Sequence, residues 1–126
     1  MKVPTNAVNW FEIPVSDFAR AKKFYSTIFD YEMPEMEMDS VRMGMLPFQQ
    51  GQGVGGAICF GEGYEPTEKG AKLYLNGGDD LTTVLNRVEA AGGKVELGKT
   101  AIPDNMGYFA IFHDTEGNWM GIHSMG

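Results

Sequence analysis

The sequence predicts an α+β fold: two βαβββ modules whose curved mixed sheets surround a concave cleft. Three observations lead there. Two segments carry apolar residues at helical spacing. Each follows a short alternating strand and precedes three further strand-like stretches. The aspartates that cap the two helical segments, Asp17 and Asp80, stand 63 residues apart, half of the 126-residue chain. The repeat is one of shape, because residue identity between the halves is weak. Residues 1–126 are read as a single domain of two modules, about 1–62 and 70–126. The Gly-, Glu-, Pro- and Lys-rich stretch "GEGYEPTEKG" (61–70) is the linker between them.

In chain order, "NWFEIPV" alternates Phe11, Ile13 and Val15 against Trp10, Glu12 and Pro14, the pattern of a strand with one covered face. "SDFARAKKFYSTIF" (16–29) follows, with Phe18, Ala21, Phe24, Tyr25, Ile28 and Phe29 at helical spacing and Ser16 or Asp17 as N-cap. "YEMPEMEM", "SVRMGMLPF" and "GVGGAICF" are the next strands. "KLYLN" opens the second module, setting Leu73 and Leu75 against Lys72, Tyr74 and Asn76. A second helix is expected over 79–93, striped by Leu81, Val84, Leu85, Val88 and Ala91, capped by Asp79 or Asp80 and ended by Gly92. "KVELGKT", "GYFAIFH" and "NWMGIH" complete the plan. The glycines of "GQGVGG" precede no helix, so they form no phosphate loop.

A chain of this length can bury roughly two thirds of its unfolded surface, so its core requires no disulfide or metal. The net charge of −7, without a basic cluster, argues against nucleic acid. Cys59 is the single cysteine and fits a reducing compartment. No window resembles a signal peptide or a membrane span, so the reading is a cytoplasmic protein with no membrane partner.

With these elements in place, "FEIPVSDFARAKKFYSTIFDYEM" resembles the opening module of the vicinal oxygen chelate superfamily, which includes glyoxalase I, bleomycin-resistance proteins and extradiol dioxygenases. "VEAAGGKV" and the closing "GYFAIFHDTEGNWMGIH" are similar to the same family, so the resemblance spans nearly the whole chain. It implies a U-shaped cleft and, in many members, one divalent metal held by His, Glu or Gln on the first and last strand of each module. Members commonly dimerise; this sequence neither demands nor forbids a homodimer. The matching ligand positions are Trp10, Ala57 or Cys59, Tyr74 and Gly121. Those residue types do not make a hard-cation or zinc site, so no metal and no cofactor is expected.

Both histidines lie in "FHDTEGNWMGIH" (112–123), with Asp114 and Glu116 between them. Read as a hairpin pairing 113 with 118 and 108 with 123, the segment puts the imidazoles on opposite faces, roughly 15 Å apart. Asp114 and Glu116 then serve only the turn. The remaining cleft candidates are Glu12 and His123 as a proton donor and acceptor, with Trp10, Cys59, Tyr74, Asn76, Tyr108, Phe112 and Trp119 as ligand-binding residues. Cys59 reads equally as a small buried hydrophobe, and the methionines of "EMPEMEM" and "RMGML" as soft wall or gap-filler.

Three functions fit these residues. The first is a metal-free protein that binds a small organic molecule in the cleft, as resistance proteins do. The second is an enzyme: a lactoylglutathione-lyase-like lyase or isomerase, or another activity of the superfamily using Glu12 or His123. The third is an interaction module whose cleft is filled.

Overall fold

A computed structural model describes residues 1–126. The elements are β1 (Trp10–Pro14), α1 (Phe18–Phe29), β2 (Glu35–Met38), β3 (Val41–Met45), β4 (Gly55–Phe60), β5 (Tyr74–Asn76), α2 (Thr82–Leu85), β6 (Lys94–Ala101), β7 (Tyr108–His113) and β8 (Trp119–Ser124). They form two four-stranded mixed sheets, ordered β1-β4-β3-β2 and β5-β8-β7-β6. In each sheet the first and last strands run parallel and the other pairs antiparallel. A parallel pair needs a long crossover, which here is the helical segment and the two strands after it. The α+β architecture predicted from the sequence is the one observed. No helix is long and apolar enough to cross a membrane.

The first helix follows its sequence signals closely. Asp17 is extended at φ −134°, and its carboxylate accepts the Arg20 N–H at 3.0 Å, satisfying one of the free donors at the helix start. Phe18, Ala21, Phe24, Tyr25 and Ile28 form the buried stripe. Asp30 closes the helix in the left-handed region at φ 52°.

The second helix is shorter than its stripe predicts. Only Thr82–Leu85 is α-helical, and residues 86–92 continue as turns. The Arg87, Val88 and Gly92 amides bond three residues back, to Val84 at 3.0 Å, Leu85 at 3.1 Å and Glu89 at 3.1 Å, while Asn86 and Ala91 keep a four-residue bond. Thr82, Thr83, Val84, Asn86 and Val88 are weak helix formers, stiff at χ1 or self-bonding, and they hold the segment to tighter turns. The stripe is buried regardless: Leu81, Val84, Leu85 and Val88 all lie in the core. Of the two aspartates, Asp80 satisfies the start, accepting from the Thr82 N–H at 3.0 Å and its hydroxyl at 2.8 Å.

One apolar cluster unites both halves. Ile13 and Ile58 of the first sheet, and Leu75, Phe112 and Ile122 of the second, meet around Phe24, Tyr25 and Ile28. The turn between β7 and β8 ties this core to the rest of the chain. The Asp114 carboxylate accepts the Glu116 and Asn118 amides at 2.9 Å each, and the buried Tyr25 hydroxyl at 2.7 Å. Asn118 donates to the Pro14 carbonyl at 2.7 Å and accepts the Thr67 amide at 2.9 Å. Glu116 caps α1 from the opposite half: it accepts the Ser16 and Asp17 amides at 3.0 and 2.8 Å and the Arg20 Nε at 2.7 Å. These carboxylates were expected to serve the turn alone. They serve it, and they also bridge the two halves of the chain.

Burial alone would raise the Glu116 pKa. The Arg20 guanidinium, the Asp17 amide, the Thr115 hydroxyl and the Ser16 amide together outweigh it and hold the carboxyl down at about 2. Because the folded-state value lies below the unfolded value of roughly 4.3, Glu116 stabilises the fold fully above roughly pH 5. That contribution is lost as pH falls toward 2. Glu116→Gln is therefore expected to lower stability by about 2 kcal/mol at neutral pH. Urea unfolding of both proteins from pH 7 to 2.5 should show the gap closing on acidification; a pH-independent gap would contradict the assignment.

Candidate functional site

The sheet faces turned away from the helices carry most of the chemistry-bearing residues. On the first sheet, register places Trp10 beside Gly55, Glu12 beside Ala57, and Met43 beside Cys59. Glu12 is the carboxylate of this face, and two rings hold it. Tyr64 donates its hydroxyl at 2.7 Å, and Trp10 its indole N–H at 3.4 Å. Phe48 meets Trp10 edge to face with centroids 6.1 Å apart. It does so by lying over Gly55, where a Cβ would come within 2.3 Å of its ring. Met36 and Met38 extend the face as exposed thioethers, whereas Met43 is buried.

Tyr64 and Phe48 were not among the sequence candidates. Tyr64 lies in the stretch read as a linker, and a turn closed by its amide on the Gly61 carbonyl at 3.2 Å folds it back over β4. The available signal was an aromatic residue in an otherwise polar, turn-rich segment.

Cys59 is fully buried and packs with Met43 and Ala57 under Val41, Met45 and Tyr64. Burial first, then the Glu12 charge, pushes its thiol up to about 12, so it carries almost no thiolate at neutral pH. The hydrogen bond to Glu12, followed by burial, likewise pushes Tyr64 up to about 12.

On the second sheet, Tyr74, Asn76, Trp119 and His123 lie on the face turned from the helices, in register with Gly121 and Phe109. Tyr74 packs edge to face against Trp119 and Phe109, with centroids 5.7 and 6.3 Å apart, and Lys72 Nζ sits 4.5 Å over the Trp119 ring. The Asn76 side chain accepts the Gly78 amide at 2.9 Å, and the His123 Nε2 lies 2.7 Å from the Met106 carbonyl.

Two candidates lie on the other side. Phe112 is fully buried in the shared core, 6.0 Å from Phe24, and Tyr108 packs against the same cluster, its ring under Lys99 Nζ at 4.5 Å. The cause is register. The turn occupies Asp114–Asn118 in full, so His113 pairs with Trp119 and Phe112 with Met120, one residue beyond the predicted pairing. Side chains alternate along a strand, so that single step exchanges faces. Phe109, Ile111 and His113 take the outer positions instead. Both histidines therefore share one face rather than opposite ones. They remain about 13 Å apart along the ladder, since four residues separate Trp119, the partner of His113, from His123. His113 contacts Glu96 at 3.0 Å.

The hydrogen bonds and ring pairs of Trp10 and Glu12 stay within the first half, and those of Tyr74, Trp119 and His123 within the second. No hydrogen bond links Glu12 to His123. The metal implied by the family resemblance also finds no suitable donors. Its positions hold an indole, a methyl or a protonated thiol, a phenol and a glycine. A Cβ at Gly121 would stand 2.5 Å from the Tyr74 ring, so aromatic carbon occupies the space a donor would need. Nowhere do three or more His, Cys, Asp or Glu side chains come together in a metal-holding group.

A cavity of about 850 Å³ opens at the seam between the halves, on the helix side of β1 and β5. Phe11, Phe29, Leu46, Leu75, Val84 and Arg87 line it, and Tyr74 and Asn76 border it.

Comparison with known proteins accords with this architecture. A glyoxylase-like domain-containing protein of Didymella fabae is 33% identical over 122 residues, with 91% of each chain covered. Among solved structures, TnmS3, an antibiotic binding protein from Streptomyces sp. CB03234, superposes at a TM-score of 0.66, with 24% identity and 98% of both chains covered. A glyoxalase I variant from Zea mays superposes at 0.68 with 18% identity; the match covers 92% of this chain and 46% of that one. A sequence model of the Glyoxalase/Bleomycin resistance protein/Dioxygenase superfamily matches residues 7–122. On both the shared architecture and these matches, the chain belongs to the Glyoxalase/Bleomycin resistance protein/Dioxygenase superfamily.

Proposed function

We propose that this chain binds a small organic molecule on the aromatic outer faces of its sheets, without a divalent metal. The observation that carries this reading is the replacement of donors by rings: Trp10 under Phe48 on one sheet, and Tyr74 seated on Gly121 on the other. Aromatic walls with a few fixed polar groups, here Glu12, Tyr64 and His123, are the usual lining of a ligand site. The similarity to an antibiotic-binding protein supports the class of function. A homodimer belongs to the same proposal. Trp10, Met36 and Met38 on the first sheet are 40%, 51% and 55% exposed and Tyr74 on the second 49%, so each outer face leaves apolar side chains that a partner could cover. A second copy that sets one chain's first sheet against the other's second sheet would complete the site from two halves.

One observation favours a second reading, lyase or isomerase chemistry. Glu12 is a carboxylate fixed by Tyr64 at 2.7 Å on an open face, the placement a general base needs. Cys59 has no part in that reading, since its thiol is buried and protonated.

A Ni²⁺ or Zn²⁺ titration by calorimetry is expected to show no stoichiometric site; one tightly bound ion per chain would defeat the metal-free reading. In a thermal-shift screen of antibiotics and metabolites, a bound ligand must raise Tm by mass action. Trp10→Ala and Tyr74→Ala should abolish that shift while changing the ligand-free Tm by only a few degrees. Uniformly flat shifts would point to an interaction module. Turnover of a bound compound that disappears in Glu12→Gln would select the enzyme. Cys59 should resist an aromatic disulfide reagent at pH 8 in the native protein and react at once in denaturant; fast native labelling would contradict its burial.

A further inference from the structure

We propose that the seam cavity is a second binding site, sharing only the Tyr74 and Asn76 edge of β5 with the site proposed above, and that it takes an apolar monocarboxylate through Arg87. At about 850 Å³ it is of the size that holds a drug-sized ligand. Phe11, Phe29, Leu46, Leu75 and Val84 make most of its wall apolar. Arg87 is the cation among the lining residues. It is partly buried, and its side chain makes one hydrogen bond, from Nη1 to the Ile28 carbonyl at 3.1 Å. It belongs to none of the ion pairs, which use Arg20, Lys22, Arg42, Lys99 and His113. A guanidinium has five N–H donors in a planar fork matched to a carboxylate. A partly desolvated guanidinium with its fork largely free, in an apolar chamber, calls for an anionic head on an apolar body.

Two carboxylates also border the cavity, and neither uses Arg87. Asp80 Oδ1 is engaged by the Thr82 amide and hydroxyl and by Lys99 at 3.1 Å, so its charge is met from within the protein. Asp79 is exposed and remains solvated. Trp10, Glu12, Trp119 and His123, which belong to the outer faces, do not line the chamber.

The test uses the whole protein with dodecanoate and 2-naphthoate as probes, each below its aggregation concentration. 1-Dodecanol and dodecyltrimethylammonium serve as neutral and cationic controls. Calorimetry should show one carboxylate bound per chain with a Kd in the micromolar range, and at least tenfold weaker binding of both controls. The two carboxylates distinguish an alkyl from an aryl body. Arg87→Gln should weaken carboxylate binding at least tenfold, and Arg87→Lys, which keeps the charge without the fork, by an intermediate factor. Thr83→Phe, which intrudes into the chamber, should block both carboxylates, and circular dichroism would verify that each variant is folded. Trp10→Ala and Trp119→Ala should leave carboxylate binding unchanged, which separates this site from the one proposed above. Equal binding of dodecanol, undiminished binding to Arg87→Gln, loss of binding in Trp10→Ala, or no carboxylate binding below 1 mM would each overturn the proposal.

Discussion

The fold depends on one turn. Asp114, Glu116 and Asn118 lie within five residues at the tip of the last hairpin, and between them they reach Tyr25, the start of α1, the end of β1 and Thr67. Of these partners the Tyr25 hydroxyl is fully buried and would be costly to leave unpaired, while the amides of Ser16, Asp17 and Thr67 lie at the surface. A carboxylate at the amino end of α1 also meets the positive end of the helix dipole and the Arg20 guanidinium together. The hydrophobic core draws the two halves together without direction; this turn gives the contact its register.

Apart from the seam cavity, the helix-side faces of both sheets are committed to one core, and the outer faces carry the exposed aromatic and titratable residues. They show the same solution twice. A glycine omits its side chain so that a ring can lie flat on the sheet, Phe48 on Gly55 and Tyr74 on Gly121. A sheet surface surfaced by rings in this way has little room for the imidazole and carboxylate groups that a divalent ion requires. The polar groups that remain are each held by a neighbour within their own half, Glu12 by Tyr64 and His123 by the Met106 carbonyl. Pre-oriented groups of this kind suit recognition of a ligand, since little entropy is lost in ordering them on binding.

Most of the fold was legible because it is written in local periodicity. The alternation of β1, β5 and β8 assigns Ile13, Leu75 and Ile122 inward and Trp10, Tyr74 and Trp119 outward, as observed. It failed where a single residue decides the outcome. The hairpin between β7 and β8 has apolar residues on both faces, so hydrophobicity could not tell Phe112 from Ile111. Only the length of the turn moved Phe112 to the core. The second helix failed for a different reason: its stripe was right, but Thr82, Thr83, Val84, Asn86 and Val88 lower the helix propensity of the segment that carries it.

What the sequence determined by itself was the alternation of elements and the inward residues of β1, β5 and β8. Those follow from nearest-neighbour physics and from spacing along the chain. Tertiary structure alone decided the rest, since each remaining feature joins residues distant in sequence. Glu116 meets Ser16 across a separation of 100 residues. Tyr64 returns from a turn to hold Glu12, 52 residues away. Arg87 comes to border a chamber whose opposite wall, Phe11 and Leu46, belongs to the other half of the chain. No periodicity encodes such encounters, because they depend on how two separately patterned halves dock.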